Sequence, residues 1–208
     1  MPDRTRDAVG CLLIDDPLAG EGTLPGLSSF VDTAGLRAQV YRWSGTSELY
    51  GALQSALHAL RQACAEATVA ARGLGCGAAL ALAAQLPVER MALIEPRLAL
   101  PRRLEAGVPA SLRRQVRRLC GFARRNLSLC VCDALIVEAP RGSEALALTR
   151  AGLGAHGRVA RLETAGIREK VLCTKGEFNV KEAVSVFLRR GELPKSLAEN
   201  PEMCIIYG

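Results

Sequence analysis

The chain has 208 residues, 49% of them hydrophobic and only 4% aromatic, which suffices for one sizeable aliphatic core and predicts a single domain over 1–208. Its formal net charge of +6 comes mostly from arginine, a moderate bias toward anionic ligands and no more. No apolar run approaches the roughly 18 residues of a membrane span, and the short one near Cys11 runs into Asp15-Asp16, so neither a span nor a signal peptide is expected.

The eight cysteines (Cys11, Cys64, Cys76, Cys120, Cys130, Cys132, Cys173 and Cys204) contain no C-x-x-C pair. His58 and His156 are the only histidines, so four convergent zinc ligands are not in prospect. No metal and no cofactor is expected, and reduced, buried thiols suit a cytoplasmic protein.

In chain order, Asp7 to Ile14 reads as a short apolar strand, followed by Asp15-Asp16-Pro17 and a glycine-rich loop. A helix from about Leu24 to Ala34, closed by Gly35, leads to a strand from Ala38 to Trp43. Leu49, Leu53, Leu57, Leu60 and Cys64 recur at helical spacing, with Ser47 as the expected cap. Val69 to Arg72 is a buried strand entering Gly73, Gly75 and Gly77. Ala78 to Ala84 then forms a small-residue helix, and Arg90 to Ile94 another buried strand ending at Glu95.

An arginine-rich insertion follows, over 97–130. Within it Leu112, Val116, Leu119, Cys120 and Ala123 mark the inward stripe of a helix whose arginines gather on the other side. Ala134 to Val137 is the next strand, Ser143 opens a helix ending near Gly152, and Val159 to Leu162 is a further strand. Asn179-x-x-Glu182 reads as a capping box before the stripe Val180, Val184, Phe187 and Leu188, with Gly191 as the stop. Cys204 to Tyr207 suggests an edge strand. Strands alternating with helices predict an α/β fold: a doubly wound, mostly parallel sheet of about six strands in a three-layer sandwich, with its crevice at the strands' carboxyl ends.

The run Gly73-Leu74-Gly75-Cys76-Gly77-Ala78 resembles the G-H-S-x-G-G elbow of the α/β-hydrolases, with Gly75 where the serine stands. Gly10 to Gly22 resembles that family's strand and oxyanion loop, with Asp15-Asp16 in place of the usual H-G. From about residue 8 to 190 the order of elements is similar to a hydrolase trimmed of its first strands.

The resemblance implies a nucleophile, a histidine and an acid, and this chain departs from it at each. Gly75 has no side chain to attack. The acid is implied near Gly142, with Glu138 and Glu144 nearby. The histidine is implied between Thr164 and Asn179, where none occurs. Cys76 and Glu95 remain as weak substitutes, and Asp15, Asp16, Gly73, Gly77 and Glu95 as crevice candidates. The insertion takes the place of the family's lid, so Arg113 and Arg117 could hold an anion. Few aromatics are available to stack bases, which argues against nucleic acid.

The expected function is therefore an α/β-hydrolase-like protein without catalysis, binding a small molecule or a protein partner. One alternative is a diverged esterase or thioesterase using non-standard residues. Another is a nucleotide-binding module, because Gly73, Gly75, Ala78 and Glu95 also satisfy the dinucleotide fingerprint.

Overall fold

The computed structural model describes residues 8–18, 27, 31, 33–41, 49–138, 143–164, 175–193 and 203–207. Seven strands form one sheet: β1 (Val9–Ile14), β2 (Leu36–Tyr41), β3 (Glu66–Arg72), β4 (Arg90–Ile94), β5 (Asp133–Glu138), β6 (Val159–Thr164) and β7 (Met203–Tyr207). Their spatial order is β2-β1-β3-β4-β5-β6-β7. The first six are parallel, and β7 adds an antiparallel edge against β6. The expected edge strand at Cys204 is thus the seventh.

Five helices join them: α1 (Leu49–Ala63), α2 (Gly75–Ala83), α3 (Ala110–Arg125), α4 (Glu144–Arg150) and α5 (Lys175–Arg190). β1, β3, β4 and β5 are buried on both faces, which is why they read as apolar runs rather than as alternating patterns. Successive residues nevertheless point to opposite sides. Leu12, Val69, Met91, Leu93 and Ile136 join one core, beneath α1, α2, α3 and α4. Cys11, Leu13, Ala92, Ile94 and Val137 join the other, with Val180, Val184, Phe187 and Leu188 of α5. Leu27 and Val31 are buried in that second core, while most of the helix expected around them lies outside the described residues, as does Ser47.

One expectation about a helix end changes. α5 already runs from Lys175, so Asn179 lies inside the helix instead of capping it. Gly176 does not prevent this early start, since first-turn amides have no intrahelical partner to lose. Ser143 precedes α4 without a side-chain cap; the Ala145 N–H donates instead to Glu138 Oε2 at 3.2 Å. Gly191 does close α5, with φ +72° and its N–H on Phe187 O at 2.7 Å.

The strand order turns back on itself at β1. The chain steps outward to β2, returns past β1 to β3, and then proceeds the other way. The carboxyl ends of β1 and β3 therefore flank the point of reversal, where open α/β sheets leave a crevice. Asp15-Asp16 follows β1 there, and the glycine turn follows β3.

Candidate functional site

Between β3 and α2 the backbone reverses in two residues. Gly73 takes φ +56°, a left-handed conformation that glycine adopts without steric penalty. Gly75 is already the first residue of α2. A methyl group at Gly75 would lie 2.5 Å from Ile14 O and 2.7 Å from Asp15 O, so the end of β1 is packed directly on this glycine. Both contacts are backbone atoms, which cannot swing aside.

Asp16 completes the turn from the β1 side. A Cβ at Gly73 would fall on its carboxylate. One carboxylate oxygen accepts the Leu18 N–H at 2.9 Å, and the other a long bond from the Leu74 N–H at 3.4 Å. Asp15 turns the other way. It accepts the Asp16 N–H at 2.8 Å and the Leu27 N–H at 2.9 Å, and forms an ion pair at 3.0 Å with Arg72 Nε. The Arg72 side chain is only 5% exposed. A guanidinium so buried needs a carboxylate. Arg72 was not singled out by its sequence pattern, although an arginine closing the apolar strand Glu-Ala-Thr-Val-Ala-Ala-Arg was a readable signal for such a partner.

The other candidates divide between this turn and elsewhere. Cys76 is fully buried at the start of α2, and its thiol donates to Ile94 O at 3.8 Å. Burial, then the neighbouring Asp16, Cys120 and Glu95, push that thiol well above the ordinary range, outweighing the bond to Ile94 O. A methyl group at Gly77 would lie 2.5 Å from Cys120 Sγ, so α3 closes over the first turn of α2. Glu95 is half-exposed at the end of β4 with φ +46°, the one positive φ among the described non-glycine residues, and its N–H donates to Val137 O at 2.7 Å.

Arg117 instead pairs with Glu105 at 2.8 Å on the exposed face of α3, and Arg113 contributes to the same local field. His58 is exposed on α1, and His156 is exposed in the turn before β6, at the opposite end of the strands from Asp16. Glu138 ends β5 but is buried, paired with Arg161 of β6 and bonded to the start of α4. Gly142 lies outside the described residues. Among those residues no group of three or more His, Cys, Asp or Glu side chains could hold a metal ion, and no helix is long and apolar enough to cross a membrane.

A parallel sheet with a glycine turn lifted between its central strand and a buried helix defines the class of fold. No family model and no curated protein sequence matches the chain. Solved structures do. One of the two metagenome-derived lipolytic enzymes LipS and LipT aligns with a TM-score of 0.64 at 14% identity, over 89% of this chain and 95% of its own. The esterase domain of a Rhodothermus marinus protein gives 0.58 at 16% identity, over 91% and 89%. A Pyrococcus furiosus esterase gives 0.54 at 11% identity, over 86% and 81%. The chain has the α/β-hydrolase fold, and at these identities the likeness is one of fold.

Proposed function

We propose that this α/β-hydrolase-like protein is not a catalyst and acts by binding a small molecule or a protein partner. We further infer that Gly73, two residues before the position the sequence pattern suggests, stands where the fold carries a nucleophile. Gly73 has the left-handed backbone between strand and helix, whereas Gly75 is helical. One observation carries the reading: the Asp16 carboxylate lies where a side chain at Gly73 would begin, and it takes the Leu74 N–H. In hydrolases of this fold the N–H after the nucleophile stabilises the oxyanion. A carboxylate in that place repels the charge that an oxyanion hole must attract.

The remaining parts support the same conclusion. Cys76 is a poor nucleophile, being buried, held protonated and without a nearby histidine. Glu138, next to the implied acid, is engaged by Arg161. A pyrophosphate at the start of α2 would meet Asp16, which disfavours the nucleotide-binding alternative. Six free thiols among the described residues accord with a cytoplasmic location.

The test is direct. The purified protein should turn over neither short-chain p-nitrophenyl esters nor thioesters, and a fluorophosphonate should not label it. Esterase activity that survives Cys76→Ala but disappears in Asp16→Asn or Glu95→Gln, with the melting temperature unchanged, would replace this reading by the diverged-hydrolase alternative. That alternative draws on the half-exposure of Asp16 and Glu95 at the carboxyl ends of the strands.

A further inference from the structure

Residues 97–125 hold nine arginines and a single glutamate, a net charge of +8 against +6 for the whole chain, so the rest of the protein is −2 overall. The positive charge is therefore concentrated in one stretch of the chain. α3 carries most of it. Val116, Leu119, Cys120 and Ala123 face the core, and Arg114, Arg117, Arg118, Arg124 and Arg125 are exposed on the opposite face. At about 1.5 Å per residue these guanidiniums line roughly 16 Å of helix. Of the five, only Arg117 has an ion-pair partner among the described residues, and that pair is itself exposed. Just past the last turn, Leu129 and Val131 are 55% and 64% exposed.

We propose that this face docks peripherally on an anionic phospholipid surface, the guanidiniums engaging headgroup phosphates while Leu129 and Val131 enter the interface. The outer face of a single helix is convex and presents a row of cations, and the exposed Leu129 and Val131 follow its carboxyl end in the chain. That shape suits a broad, deformable layer of headgroups. A single-stranded nucleic acid needs aromatic platforms, and here Phe122, the aromatic side chain of α3, packs against the core. Arginine binds phosphate through paired N–H donors and gives up its hydration more readily than lysine. Basic charge together with an apolar contact is the combination that holds proteins at a membrane surface without spanning it.

The experiment is co-sedimentation of the full chain with vesicles of phosphatidylcholine, with and without about 30 mol % phosphatidylserine, at about 0.1 M salt. Binding is expected only with the anionic vesicles and should fall steeply with added salt. Each guanidinium near the surface contributes roughly a factor of five, so the triple variant Arg114→Gln, Arg118→Gln, Arg124→Gln should lose roughly 100-fold in partitioning. The triple lysine variant should keep most of the binding, and Arg37→Gln, on the distant edge strand β2, should keep all of it. Leu129→Asp should weaken binding at high salt, where the electrostatic part is screened. No binding to anionic vesicles, equal binding to neutral ones, or a triple glutamine variant that sediments like the wild type overturns the proposal. Tighter binding to a short DNA duplex or to polyglutamate under the same conditions overturns it in favour of that partner.

Discussion

Five residues meet around one turn at the carboxyl ends of β1 and β3. At Gly73 and Gly75 the missing side chains are occupied space: Asp16 fills one position, and the end of β1 closes the other. Asp15 and Arg72 brace the same junction with a nearly buried ion pair. The thiols nearby and elsewhere are held protonated. Burial pushes Cys11 and Cys120 up to about 11, Cys130 to about 11 and Cys132 to about 12. These thiols hold their protons longer in the folded state than in the unfolded chain, where a thiol ionises near about 8.5. Stability is thus intact below that pH and declines as pH rises through 9 to 12. Each thiol ionised only in the unfolded chain should cost about 1.4 kcal/mol per pH unit. Urea midpoints measured across this range should fall, and Cys132→Ala should make the decline shallower by one thiol's share. An unchanged slope would mean that Cys132 is open to water.

At the scale of elements, the carboxyl end of α5 shows how the sheet holds a helix. Arg90 donates to Leu188 O at 2.8 Å and Arg189 O at 3.3 Å, and Arg158 donates to Gly191 O at 3.3 Å. Arg90 is also tied to Glu66, and Arg158 to Asp133. Two guanidiniums thus meet the end of the helix where its carbonyls are unpaired and its dipole is negative. Arg90→Met should destabilise the protein by about 2 kcal/mol in urea unfolding. Arg117→Gln, which removes only an exposed pair, should change stability by less than about 0.5 kcal/mol. The inward stripe of α3 was legible from spacing alone, because a 3.6-residue period can be read without knowing the partner. The capping box at Asn179 was misleading for the converse reason. A motif of four residues says nothing about whether the helix has already begun.

Across the whole molecule, the sheet ends on one side at β2, whose Arg37, Ala38, Gln39 and Val40 are all exposed, Val40 to 55%. Among the described residues its neighbour is β1 alone. Edge strands of this kind template pairing with other chains unless charge or polarity discourages it. Gln39→Ile should raise light scattering on heating well before it changes the unfolding midpoint, and equal scattering would show that the edge is covered. The alternation of strand and helix, the two-sided burial of the inner strands and the identity of the residues at the glycine turn were all determined by sequence, since periodicity and residue identity are local properties. The register of the glycine turn was not. A pattern of alternating glycines fits Gly73 and Gly75 equally well, and only the folded backbone distinguishes them, left-handed at Gly73 and helical at Gly75. That Asp16 reaches across 58 positions to Leu74, and that Arg72 finds Asp15, was decided by tertiary structure. Such pairings depend on which strand ends lie side by side, and strand order is a property of the packed sheet.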